Sequence, residues 1–350
     1  MAQISTPTRQ LLKLLHTLPR SLVAQTLLDQ GLDGAIELLE RVVPPRLKGA
    51  ISISEPSLQA FDGRVVGWYD AEYPEVWHHI PDPPVVYFTR GKSLAEIAQN
   101  KRMVAVVGAR KASTYGRQVA AELGCQLGQA DAAVVSGLAY GIDIAAHQGC
   151  LQANAATVAI LGSGLQRIYP AAHKTTANSI VARGGALVSE YAPDQSARPH
   201  HFLERNRLIS GLCSTLVVVE AAAKSGALNT ARWALEQGRE VWAVPGNLRN
   251  PQAQGCHQLI DQGAQIVTAM ADVVGAAPAT QSVPTLEGLH GQVYELCKVQ
   301  AQLPDQLLLQ LPAGTTYAQL MGVLSELEVL GFVHSSALGY IASSKNTEGK

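Results

Sequence analysis

Glycine recurs with arginine, serine or a carboxylate in short segments that each contain or follow an apolar run, a combination suited to gripping a phosphate chain. The first, VAVVGARKASTYG at residues 104–116, places Gly108, Arg110 and Ser113 between a strand-like run and a helix that Ser113 can cap. Gly108 lets backbone come close to a phosphate, the helix start offers free N–H groups, and Arg110 adds a charged fork matched to a phosphodiester. A tight turn with a surface arginine is the plainer alternative. A dinucleotide fingerprint needs GxGxxG here, and Arg110 stands at its second glycine, which disfavours a nicotinamide cofactor.

The second segment, VVSGLAYGID at residues 134–143, offers backbone donors at Ser136 and Gly137, and Asp143 can cap the helix that carries His147. With no serine or cysteine partner, His147 reads as a satisfied core histidine rather than a catalytic base. The third, AILGSGLQRIYP at residues 159–170, presents Gly162 and Gly164. In HHFLERNRLISGL, residues 200–212, Arg205 and Arg207 lie two apart at the expected start of a helix, so one faces a crevice and the other pairs inside the protein. Asn206 between them can read a base edge or hold a loop. Glu220, in VVVEAAAKSGALNTA at residues 217–231, reads as the buried partner of an arginine rather than a general acid. A nucleotide phosphoribohydrolase acting through Glu220 is the enzymatic alternative. Aromatic residues make up only 5% of the chain, so backbone contacts should outweigh base stacking, for which Tyr115, Tyr169 and Phe202 are the candidates.

A net charge of -1 gives no bulk pull on nucleic acid, so the case rests on local clusters. Lys101, Arg102, Arg110, Lys111 and Arg117 surround the first segment with no acid among them, and no Asp or Glu falls between Asp143 and Glu190 while Arg167, Lys174 and Arg183 do. Basic residues gathered around glycine loops in a neutral protein imply a polyanion there. Five single cysteines with no CxxC pair fit a reducing cytoplasm. The ten histidines form no HExxH or Cys/His quartet, so no metal is expected. No apolar stretch is long enough to span a bilayer.

The elements that must carry these loops read as an α/β protein. Residues 9–41 have helical apolar spacing broken by Pro19 and Gly31, and 1–63 form a small helical, SAM-like domain. Strand-like pieces at Val65–Trp68 and Val85–Phe88 bridge into a central domain at 64–274. There, continuously apolar runs alternate with helices: Val104–Val107, Ala133–Val135, Thr157–Leu161, Ala186–Ser189, Thr215–Glu220 and Glu240–Val244. This is the rhythm of an extended Rossmann-like, doubly wound parallel sheet, whose loops converge at the topological switch point. Residues 275–285 read as a linker, and 286–344 as three helices and a hairpin in winged-helix order.

Taken with these motifs, the chain resembles the bacterial DNA-processing protein A family (DprA, also called Smf) over nearly its whole length. The resemblance rests on Tyr73-Pro74, Asp82-Pro83-Pro84, VVGAR…S…YG, SGLAYGID…AH, LGSGL…IYP, SEY, RNRLISGL, EA…SGALNTA and VPG. It implies a non-enzymatic protein that binds incoming single-stranded DNA during natural transformation, dimerises through the Rossmann domain around residues 255–267, and loads RecA recombinase. By motif, the DNA contacts it implies are Gly108, Arg110, Ser113, Ser136, Gly137, Gly162, Gly164, Arg205 and Asn206. Glu204 departs from the basic residue often found before RNR, and a carboxylate beside phosphates weakens binding unless Arg207 or Arg198 pairs with it. Residues 299–344 contain no Lys or Arg, so the expected winged helix lacks the charge to bind duplex DNA and should bind protein or nothing.

Overall fold

The protein is described by a computed structural model covering residues 4–17, 20–42, 58–274, 288–299, 302–312, 314–329, 333–336 and 339–342. The expected linker at 275–285 lies outside the described residues. Residues 1–277 and 278–350 form two compact units.

In the first unit, valine-rich segments bury both faces and pair into one nine-stranded sheet. Its strands are β1 (Arg64–Gly67), β2 (Val86–Gly91), β3 (Met103–Val107), β4 (Ala133–Ser136), β5 (Thr157–Leu161), β6 (Ala186–Ser189), β7 (Thr215–Val218), β8 (Glu240–Ala243) and β9 (Gln265–Ile266). The order is β1-β2-β6-β5-β4-β3-β7-β8-β9, parallel from β6 through β9. Six strands therefore fall within two residues of their expected bounds. The two strand-like pieces do more than bridge, because β1 and β2 extend the sheet antiparallel beside β6. The chain winds outward from β3 through β4 and β5 to β6, then returns to β3's other side, where Val106 faces Val217 in the register with β7. That reversal puts the switch point between β3 and β7.

Along β3 the side chains alternate between two cores. Met103, Ala105 and Val107 join Trp77, Tyr87 and Ile160 on one face, while Val104 and Val106 join Leu123, Val134 and Ile142 on the other. The second face is covered by α5 (Thr114–Gln129) and α6 (Ile142–Gln152), whose backbones touch where Gly124 meets Ala146 and Gly149 meets Ala121. The remaining crossover helices of this sheet are α4 (Leu94–Asn100), α7 (Lys174–Ala182), α8 (Pro199–Gly211), α9 (Gly226–Glu236) and α10 (Gln254–Asp261), with short α3 (Glu75–His78) and α11 (Met270–Val274) at its margins.

The amino-terminal helices are α1 (Thr6–Thr17) and α2 (Arg20–Val42), the latter kinked at Gly31, whose φ is 71°. They share a buried cluster with the sheet, Leu11, Leu14, Val23 and Leu27 joining Val65, Val86 and Phe88, and add polar contacts: Ser5 and Thr8 hydroxyls donate to Asp70 at 2.5 and 2.7 Å. Arg20 bridges Asp82 and Glu190, both at 3.0 Å, and reaches Glu204 at 3.7 Å. No described helix is long and apolar enough to cross a membrane.

The second unit follows the expected element order. Helices α12 (Gly288–Val299), α13 (Pro304–Leu308) and α14 (Tyr317–Val329) precede an antiparallel hairpin of β10 (Val333–Ser336) and β11 (Gly339–Ala342). Val293, Cys297, Leu307, Leu320, Leu324 and Leu327 form its own core.

Candidate nucleic-acid interface

Beside the switch point the carboxyl end of β3 meets α8 and the start of α9 around an open cavity of about 840 Å³. Of the nine site residues expected from sequence, Gly108, Arg110, Arg205 and Asn206 line it. Arg110 is exposed, its guanidinium 4.7 Å above the Phe202 ring, and that cation–π contact aims the charge across the opening. Lys111 and Arg198 are also exposed on its wall. None of these three cations forms an ion pair among the described residues.

Asp143 is the one carboxylate on the wall, and it is buried. It lies inside α6, which Gly141 rather than Asp143 caps, and it turns back to accept from Gly137 N at 3.1 Å and Ala139 N at 3.4 Å. Burial pushes its pKa up, against the pull of Arg205 and these two N–H groups. Arg205 is only 4% exposed. Its guanidinium donates to Gly137 O at 3.0 Å and to Ile160 O, tying the ends of β4 and β5 together. Burial lowers its pKa to about 10, with Asp143 opposing.

The sequence reading that one of Arg205 and Arg207 pairs inward holds for Arg207, which binds Glu190 and Asp82, each at 2.8 Å. Both arginines lie in the middle of α8 rather than at its start, and Arg205 is buried as well. Glu204 finds its partners elsewhere than expected: it accepts from the Tyr191 hydroxyl at 3.0 Å and faces Arg20. Asn206 holds a loop, since its amide donates to Gly226 O and Asn229 Oδ1, both at 3.2 Å.

The other five expected residues have internal roles. Ser113 caps α5, accepting from Gly116 N at 3.0 Å, while its own N–H and hydroxyl donate to the Glu220 carboxylate at 2.8 and 2.6 Å. Glu220 thus fills the anion site at the start of α5, where the sequence placed a phosphate, and among the described residues it pairs with no arginine. Ser136 is fully buried and donates to Val106 O at 2.6 Å. Gly137 has no side chain because the Arg205 guanidinium lies where one would go. Gly162 accepts from His201 Nδ1 at 3.1 Å and has Phe202 over its α-carbon, while Gly164 N donates to Gln195 O at 2.8 Å. Even Gly108 is glycine for packing: a Cβ would stand 2.5 Å from Ile142 Cγ1.

His147 is the core histidine expected. The Thr157 hydroxyl donates to Val134 O at 2.7 Å, so His147 Nδ1 carries the proton shared with Thr157 at 2.8 Å. Burial, with Arg205 and His173 nearby, lowers its pKa to about 3.

Sequence reasoning did not assign Arg198 to the crevice. The available signal was Pro199, which at the first turn of α8 makes the preceding arginine the N-cap and exposes it. A neighbouring cavity of about 590 Å³ shares Tyr169, Ser196 and Ala197 with the first and adds Arg167 and Lys174.

Comparison with known proteins finds relatives of the same fold. A DNA processing protein DprA of Mycobacterium tuberculosis is 41% identical over 261 residues, covering 71% of this chain and 66% of its own length, just short of two-thirds. The structure of DNA processing protein A from Streptococcus pneumoniae superposes with a TM-score of 0.61 at 30% identity, covering 79% of this chain and 99% of that one. That of DNA processing protein A from Helicobacter pylori, described for its single-stranded DNA binding mode, gives 0.54 at 26% identity and covers 60% of this chain and 94% of that one. Residues 64–278, the span of the sheet and its loops, match the DNA recombination-mediator protein A family, and the chain belongs to that family.

Proposed function

We propose that this protein binds single-stranded DNA in the crevice between the β3 loop, α8 and the start of α9, does no chemistry on the strand, and passes it to RecA recombinase during natural transformation. The observation that carries the reading is the charge of the crevice. Among the described residues, Arg110, Lys111 and Arg198 stand exposed and free of ion pairs around about 840 Å³ whose one carboxylate is buried and engaged. Such a wall attracts a phosphate backbone without regard to sequence. Arg167 and Lys174 in the adjoining cavity continue the track past Tyr169. The Helicobacter pylori relative's single-stranded DNA binding supports the same assignment.

Within the site, Arg110 and the backbone near Gly108 touch the strand, and Arg205 and Asn206 shape the wall. Ser113, Ser136, Gly137, Gly162 and Gly164 act by holding the loops in place. The cytoplasm, where RecA works, is the compartment this function requires. Dimerisation falls to α10 and β9, where Ile266 is 44% exposed on a sheet edge paired only with β8. The second unit, read as a winged helix, contacts protein or nothing, and not duplex DNA.

Titration of labelled oligo-dT at several salt concentrations tests the central reading. Arg110→Ala should weaken binding by about 1–3 kcal/mol and reduce the salt slope by roughly 0.7, the loss of one phosphate contact. Parental affinity and slope in this variant would remove the crevice from the account.

A further inference from the structure

The turn between β4 and α6 contains an unusual residue. Leu138 is fully buried yet adopts φ 56°, a left-handed conformation that a branched aliphatic side chain disfavours. Its carbonyl is held by His173 Nδ1–H at 2.8 Å. Gly141, also left-handed at φ 78°, then presses the chain against the backbone of Ala109 and Arg110, where a side chain would collide. Between these two fixed points stands Tyr140, 49% exposed, with its ring edge-on to buried His173 at 4.7 Å. The strained turn therefore projects an aromatic ring into solvent beside the Arg110 loop.

Tyr140, Arg110, Tyr169 and Phe202 border one small recess that opens beside the main crevice. Tyr169 is 47% exposed and its ring lies 5.6 Å from Phe202. The recess measures only about 20 Å³, too little to swallow a heterocycle, so a flat ligand must lie across its rim. Aromatic faces next to a guanidinium favour a planar, electron-rich ring attached to an anion, and an unpaired nucleobase on its phosphate has that composition.

We infer that Tyr140 is a base-stacking platform, which makes the crevice selective for strands with unpaired bases rather than for any polyphosphate. This rests on the single-strand reading above and adds a discriminating element to it. In a duplex the base faces are covered by their neighbours, so Tyr140 has nothing to stack on, whereas the cations of the crevice attract either form.

The test compares two strands of equal length, oligo-dT and an abasic oligonucleotide, which share their phosphates but not their bases. Tyr140→Ala should weaken oligo-dT binding by roughly tenfold, the loss of one stacked base, and leave the abasic strand at parental affinity. Tyr140→Phe keeps the ring and should recover most of what Tyr140→Ala loses. Equal weakening of both strands would mean that Tyr140 only shapes the loop, and this overturns the inference, as does unchanged oligo-dT binding. A parent chain that binds neither strand overturns the single-strand reading as well. A parent that binds both, with Tyr140→Ala behaving identically, overturns this inference alone.

Discussion

Glu220 engages Ser113 through both carboxylate oxygens at the start of α5, and a Cβ on Gly116 would meet that carboxylate at 2.5 Å. Its chemistry is thereby structural: an internal anion neutralises the helix terminus and fastens the β3 loop to the β7 loop. Glu220→Ala should cost about 1–3 kcal/mol, because it leaves the Ser113 N–H unsatisfied, and urea unfolding reads this directly. His147 supplies a pH effect of definite sign. Its native pKa of about 3 lies below the unfolded value near 6.5, so the unfolded chain takes up a proton that the native state refuses. The stability this residue preserves is complete above pH 6.5 and is lost as pH falls toward 3, with a slope approaching 1.4 kcal/mol per pH unit. Urea midpoints at successive pH values should show that slope, and His147→Gln should flatten it.

At the scale of elements, α5 and α6 cross so closely that glycines meet carbonyls, and Gly149→Val should force them apart at a cost of roughly 2 kcal/mol or more. Thermal unfolding measures it, and the β3 loop anchored on α5 should loosen together with the helix. In α8, Arg207→Ala should cost about 1–3 kcal/mol, since buried Glu190 would lose one of its two guanidinium partners and keep Arg20. Six of the seven parallel strands of the doubly wound sheet were legible because burial writes them as largely apolar runs, whereas β9 is two exposed residues and carries no such run. Strands β1 and β2 looked like connectors, since they join the sheet through the pairing of β2 with β6, about a hundred residues away. The glycine loops were legible as loops, but not which of their groups face solvent. The carbonyls that hold Arg205 come from β4 and β5, and only the assembled sheet brings them to one guanidinium. The exposed cations of the crevice are Arg110, Lys111 and Arg198, of which the sequence placed the first two at the glycine loop and did not assign the third.

For the molecule as a whole, a formal charge of -1 conceals unequal distribution: basic side chains collect at the crevice, while residues 299–344 contain none. A fragment spanning residues 278–350, which has its own core, should show no binding to duplex DNA at physiological salt in a gel-shift titration. The strand order has a temporal consequence. Strand β3 lies between β4, its near neighbour in sequence, and β7, which follows more than a hundred residues later. As synthesis proceeds from the amino terminus, β3 can pair on one side early but keeps a bare hydrogen-bonding edge until residues 215–218 arrive. The crevice is walled by both the β3 loop and the start of α9, so a nascent chain shorter than about 230 residues has the arginine of its first loop but lacks the groove's opposite wall.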